Sequence, residues 1–188
     1  MPAVAVVGEI LGCSDFKQST LFCRWKLVTG HHHWQVAAGA TEGQTQVADV
    51  DSGASRDADW GHPVDVLYSC ASVRGWPKLH LEVWDQDAQG RVALVGNGFC
   101  FVPTAPGRHK LECALWRPSG SFCDQVSSFF LGGYSRLRSP EVVFAPMDRF
   151  GLRATSVGVV NVELAVVLKG FEGKGVSFEK SAIARKVA

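Results

Sequence analysis

The sequence has almost no excess of charge of either sign. Nineteen Lys and Arg residues stand against eighteen Asp and Glu residues, which leaves a formal net charge of +1 at pH 7. A chain with so small a net charge has no bulk electrostatic attraction for nucleic acid or for an anionic membrane. Any such affinity must come from a local group of charges. We therefore expect no nucleic-acid partner. The six Trp residues are expected in the core or at protein contacts, because base-stacking platforms come with a basic groove.

Long apolar runs are also missing. No stretch approaches the roughly 20 apolar residues that a membrane-spanning helix needs, so any membrane contact is expected to be peripheral. The apolar opening at residues 1–12 has no basic region and is interrupted by Glu9. This pattern predicts a first strand rather than a signal peptide.

The cysteines have no metal-binding or disulfide-framework spacing. No CxxC pair is present, and the spacing favours a reduced, intracellular protein without structural zinc. The six residues are Cys13, Cys23, Cys70, Cys100, Cys113 and Cys123.

Recognisable catalytic motifs are absent too. The sequence contains no GxSxG elbow, no GxxxxGK[ST] loop, no HExxH pair and no GxGxxG that opens a helix. We therefore expect a protein that is not an enzyme and that carries no cofactor. An enzyme of unrecognised type would need a deep polar pocket, which a sequence cannot display.

What the sequence does contain is a series of strand patterns. In LFCRWKLV at 21–28, Leu21, Cys23, Trp25 and Leu27 share one face, and Arg24 and Lys26 lie on the other. Such alternation is typical of a half-buried antiparallel strand. Glycine- and proline-containing turns separate the runs, which predicts an all-β antiparallel sandwich. The predicted strands are 4–10, 21–28, 64–70, 79–84, 98–102 and 157–168.

Three segments depart from the strand pattern. In 121–131 apolar residues recur at helical spacing before two glycines, which predicts one short helix. Residues 49–59 are small and polar, and we expect a flexible loop there. Residues 172–188 form a basic, partly disordered tail, whose cations predict weak, salt-sensitive contact with anionic lipid. These cations are Lys174, Lys180, Arg185 and Lys186.

Acidic side chains follow two of the predicted strands. Asp85 and Asp87 come directly after strand 79–84, and Asp15 follows the first strand. Carboxylates on converging loops are calcium ligands, but calcium takes about six to eight oxygens, and Arg91 brings a cation to the same loop. Two hypotheses remain open: a degenerate calcium or lipid loop, and a hairpin turn closed by aspartate hydrogen bonds.

Two further groups of residues, three histidines and two tryptophans, each have one functional and one purely structural interpretation. His31, His32 and His33 are metal-ligand types, but consecutive residues rarely converge on one ion, and a loop tip explains them as well. Trp76 and Trp116 each stand beside a proline-containing turn. They are candidates for contact with a partner protein, or else for the rim of the core.

Several stretches together resemble the B9 domain family, a branch of C2-type β-sandwiches found in ciliary proteins. They include WGHPVDV at 60–66, GWPKLHLEVWDQDAQGR at 75–91 and GNGFCFVPTAPGRHKLECALWRP at 96–118. The resemblance covers residues 4–171, so we expect one B9 domain over that range. It does not extend to the basic tail.

The resemblance implies a non-enzymatic scaffold subunit of the ciliary transition zone and basal body. Such a subunit is expected to assemble with two sister B9-domain proteins and to be linked to the Meckel-type membrane complex that controls ciliary entry. C2-type domains often bind phospholipid through calcium. Asp85 and Asp87 match the first two acids of the third loop of such domains and Asp15 is a partial match in the first, but no later acid precedes Arg91. The resemblance therefore implies an incomplete calcium loop.

Overall fold

Antiparallel β-strands form most of the part of the chain that the computed structural model describes, which is residues 1–30, 33–50, 57–118 and 154–171. No helix occurs within these four ranges, and accordingly none there is long and apolar enough to cross a membrane. The strands are β1 Ala3–Ser14, β2 Thr20–Val28, β3 Trp34–Gly39, β4 Glu42–Gln44, β5 Ala48–Asp49, β6 Ala58–Cys70, β7 Lys78–Gln86, β8 Val92–Phe101, β9 Gly107–Pro118 and β10 Ala154–Lys169.

The strands form a single curled sheet with the order β3-β6-β1-β10-β9-β8-β7-β2-β4, and β5 pairs with β2. In the part of the chain that the structure describes, strands β8 and β9 pair at Asn97 and Trp116 alone. We call β3, β6, β1, β10 and β9 the first half of the sheet, and β8, β7, β2, β4 and β5 the second half. One core cluster contains side chains from both halves. The predicted antiparallel all-β sandwich is therefore confirmed, with two layers that belong to one sheet.

Alternating side chains explain why the long strands form where they do. In β10, Val160, Val162 and Leu164 are fully buried, while Asn161 and Glu163 point away from the core. In β2, the predicted face of Leu21, Cys23, Trp25 and Leu27 is buried, as expected. Each large apolar side chain transferred into this core stabilises the fold by about 1.5–3 kcal/mol.

Contacts between the halves hold the layers together. The Trp60 indole Nε1, on β6 of the first half, donates a hydrogen bond of 3.2 Å to the Leu21 carbonyl oxygen on β2. The Phe16 ring lies against Gly158 of β10, where a Cβ atom would come within 2.4 Å of the ring. Phe16 is fully buried. The missing side chain at Gly158 thus makes room for Phe16 to close this end of the core.

Some expected boundaries were wrong. The flexible loop expected at 49–59 has strand residues at both of its ends. Asp49 belongs to β5, and β6 begins at Ala58. Ala58 is buried and pairs with Cys13 of β1. This pairing extends β6 towards the N-terminus, beyond the apolar run at 64–70 from which the strand was predicted. Strand β3 was not predicted, since Trp34 is its only buried side chain and no alternation is visible. The helix predicted at 121–131 and the tail at 172–188 lie outside the described residues.

Candidate functional site

The acidic loop is a hairpin tip in which the Asp87 carboxylate accepts three hydrogen bonds from its neighbours. Its Oδ1 accepts hydrogen bonds from the backbone N–H groups of Gln89 at 2.9 Å and Arg91 at 2.8 Å. Its Oδ2 accepts from Arg91 Nε at 2.6 Å. Although desolvation opposes the shift, the bonds from Arg91 and Gln89 lower the pKa of Asp87. The carboxylate therefore closes the turn between β7 and β8.

The other two predicted acids, Asp85 and Asp15, lie in different surroundings. Burial, followed by the nearby charge of Asp87, raises the pKa of Asp85, and the backbone N–H of Thr20 partly offsets this. Asp15 is exposed and has a positive φ of 65° at the end of β1. Within the described ranges, no group of three His, Cys, Asp or Glu side chains could hold a metal ion. The structure thus brings Asp85 and Asp87 together, and residual calcium or lipid binding stays a prediction.

Trp76 belongs to an aromatic cluster at one end of the sandwich. Its Nε1 donates to the Val102 carbonyl oxygen at 2.8 Å, and its ring meets Trp34 edge-to-face at 5.3 Å. Trp34 in turn meets Tyr68 at 5.8 Å. Trp76 is only partly buried, so its exposed part remains a candidate for partner contact.

The remaining predicted residues lie in different places. Trp116 is partly buried at the junction of the halves, where it pairs with Asn97, and its partner role stays a prediction. His33 is exposed, while His31 and His32 lie outside the described residues. The tail cations Lys174, Lys180, Arg185 and Lys186 lie outside them as well.

An exposed apolar surface on the first half was missed by sequence reasoning. We call it the outer apolar face, and it consists of Ala5, Val7, Ala38, Leu67, Ala165 and Val167. Val167 is 58% exposed, Val7 44% and Leu67 37%. Such contiguous exposed apolar surface on a folded protein marks an interaction site.

Strand register makes the outer apolar face continuous. Ala38 pairs with Leu67, Leu67 with Ala5, and Ala5 with Val167, which gives one apolar row across four strands. In the next row Val7 pairs with Ala165. The available signal was the uninterrupted apolar sequence AVAVV at 3–7, since a strand that is apolar on both sides is usually covered on both sides.

Charged residues border this face. Asp65 pairs with Val7 on one side, and Arg108 pairs with Ala165 on the other. Arg108 Nε also forms an ion pair of 3.2 Å with Glu163 Oε1. An apolar centre with a polar rim is the usual anatomy of a protein–protein interface.

On the outer surface of the second half, charged side chains of β2 pair with β4, although Phe101 and Val92 of β8 are exposed there. Lys26 Nζ lies 2.7 Å from Glu42 Oε2, and Arg24 Nε donates to Gln44 Oε1 at 2.9 Å. The Arg24 guanidinium also lies 4.8 Å from the Trp84 ring centroid, an arrangement that shields the indole. We therefore take the outer apolar face as the candidate functional site.

Comparisons of this chain with a family model and with known proteins point to the same family. Residues 4–167 match a family model described as "Ciliary basal body-associated, B9 protein". B9 domain-containing protein 2 of Danio rerio is 43% identical over 176 residues, which cover 94% of this chain and 99% of that protein. The Homo sapiens protein of the same name is 41% identical with the same coverage.

More distant similarities extend to a sister protein and to a solved structure. B9 domain-containing protein 1 of Xenopus laevis is 29% identical over 171 residues, covering 90% of this chain and 86% of that protein. A solved C2-type domain of plant Extended Synaptotagmin 1 is 14% identical with a TM-score of 0.47, covering 88% of this chain and 95% of that one. The family resemblance of the sequence is confirmed by the family match and the full-length relatives, and the chain belongs to the B9 family of ciliary basal body-associated proteins.

Proposed function

We propose that this protein is a non-enzymatic scaffold subunit of the ciliary transition zone that assembles with sister B9-domain proteins. In this role it forms part of the gate that controls entry of membrane proteins into the cilium, and it supports ciliogenesis. The observation that carries the proposal is the outer apolar face, an exposed apolar row across four strands with a charged rim.

The chemistry of this face suits a folded protein partner. Covering Val7, Leu67 and Val167 would remove apolar surface from water, at about 25 cal/mol per Å². Rim charges such as Asp65 and Arg108 would select the orientation and the partner, because mismatched charges weaken a wrong complex. A near-neutral net charge of +1 favours such specific contact over general electrostatic adhesion.

Relatedness within the family supports a B9 domain as the partner. The chain is similar both to B9 domain-containing protein 2 and to B9 domain-containing protein 1, so the family has at least two kinds of member. Through such an assembly the protein would be linked to the Meckel-type membrane complex of the transition zone.

The test is co-expression with B9 domain-containing protein 1 followed by size-exclusion chromatography. We expect the two proteins to elute together in a fixed stoichiometry that survives dilution. Separate elution of two folded proteins, under conditions where each remains soluble, would refute the scaffold proposal.

A further inference from the structure

Cys100 and Cys113 face each other across the junction between the two halves of the sheet. Strands β8 and β9 pair at Asn97 and Trp116. Continuing this antiparallel register along both strands places Cys100 opposite Cys113. The two side chains lie on the core side, since Cys113 is part of the core and Cys100 packs against it. Each thiol shifts the pKa of the other, which is expected of neighbouring thiols.

The register of this pair is compatible with a disulfide. Directly opposed residues of antiparallel strands have Cα atoms about 4.5–5.5 Å apart, and a disulfide spans about 4.4–6.8 Å. The strands stay close between the pairing site and the cysteines, because a Cβ atom at Gly98 would lie 3.4 Å from the Leu115 Cα. A bridge between these opposed positions is therefore compatible with the strand register.

The two thiols differ in reactivity. Cys100 is partly exposed, and the hydrogen bond from the Cys113 thiol lowers its pKa against the opposing effect of burial. The hydrogen bond with Cys100, together with burial, raises the pKa of Cys113. By contrast Cys13 and Cys23 are buried, and desolvation raises the pKa of each, that of Cys13 to about 12. Cys100 is thus the more exposed thiol of the pair and the one with the lowered pKa, and we assign Cys113 as the resolving thiol beside it.

We infer that Cys100 and Cys113 are a redox modification site, at which a low-molecular-weight disulfide such as oxidised glutathione installs a bridge between β8 and β9. The Cys100 thiolate attacks one glutathione sulfur, forms a mixed disulfide and releases one glutathione thiolate. The Cys113 thiol gives its proton to solvent, attacks the Cys100 sulfur and releases the second glutathione. Two protein thiols are oxidised and one glutathione disulfide is reduced to two thiols.

The bridge would join the two halves where their backbone ladder is thinnest. The single pair at Asn97 and Trp116 is the only residue pair between β8 and β9 in the described strands. A covalent link beside it would restrict separation of the layers and leave the outer apolar face on the first half unchanged. The inference is therefore independent of the proposed scaffold role.

The experiment treats the reduced, folded full-length chain with oxidised glutathione and maps the disulfides by peptide mass spectrometry. We expect a peptide pair that links Cys100 to Cys113. The thermal midpoint should rise by roughly 6–12 °C relative to reduced protein, because a short loop is closed. Reduction should reverse both changes.

Two variants serve as controls. Cys100→Ser should remove the bridge and the thermal shift, and Cys13→Ala, which changes a buried thiol outside the pair, should retain both. A glutathione adduct that persists on Cys100, a bridge that uses another cysteine, or a bridge that forms only in denaturant would overturn the inference.

Discussion

At the scale of single residues, Tyr68 is a core side chain whose hydroxyl group is buried without a hydrogen bond from the described residues. Burial raises the pKa of this hydroxyl to about 12. The ring itself packs well, with an edge contact to Trp34 at 5.8 Å. The residue therefore stabilises the fold through its ring while its hydroxyl carries a desolvation cost.

We predict that Tyr68→Phe leaves the free energy of unfolding unchanged or raises it by up to about 1 kcal/mol, because the variant removes an unpaired buried group. Tyr68→Ala should instead lose about 3–5 kcal/mol through the cavity that it leaves. Urea denaturation of the three proteins measures both differences. A loss of more than about 1 kcal/mol in the phenylalanine variant would mean that the hydroxyl has a stabilising partner.

At the scale of elements, the β7–β8 hairpin depends on the charge of Asp87. The carboxylate accepts three hydrogen bonds within the turn, and its pKa is lowered in the folded state. A group with a lowered folded pKa stabilises the protein above its unfolded pKa, here near the ordinary value of 3.8. This contribution disappears as the pH falls through the folded value.

We predict that Asp87→Asn lowers the thermal midpoint at pH 7, and that the difference from the unchanged protein shrinks as the pH falls below 3.8. The matched control is Asp15→Asn, because Asp15 is exposed and asparagine also tolerates its positive φ of 65°. Calorimetric unfolding across pH 2 to 7 (roughly the range in which carboxylates titrate) measures both variants. An equal midpoint for Asp87→Asn at pH 7, or a gap that widens in acid, would contradict this account of the turn.

At the scale of the whole molecule, the layers and most of the long strands followed from the sequence, whereas strand β9 and the outer apolar face did not. Strands β2 and β10 could be predicted because polar residues mark their outer sides, such as Arg24 and Glu163. The short strand β4 left no such pattern. The outer apolar face depends on which strands are neighbours in the sheet. Leu67 and Val167 lie in the same row because each pairs with Ala5, from opposite sides of β1. Register across distant segments is not visible in local periodicity.

The acidic loop is a second case in which the sequence predicted the position of residues but not their contacts. The sequence placed Asp85 and Asp87 in a loop after strand 79–84 and identified Arg91 as an opposing cation. The structure corrects this for Asp85, which belongs to β7 and pairs with Leu21 and Ala93. The sequence left the turn and the degenerate calcium loop as open alternatives, because the partners of a carboxylate depend on loop geometry. The three hydrogen bonds to Asp87 describe the turn in detail.

The most direct measurement of the central claim is the affinity of Val7→Glu for B9 domain-containing protein 1, compared with Val92→Glu. Both valines are 44% exposed, but only Val7 lies on the outer apolar face, and circular dichroism would verify that each variant is folded. Titration calorimetry should give at least about tenfold weaker binding for Val7→Glu, which is about 1.4 kcal/mol, and unchanged binding for Val92→Glu. Equal affinity of the two variants, or a larger loss for Val92→Glu, would contradict the assignment of this face as the site of assembly.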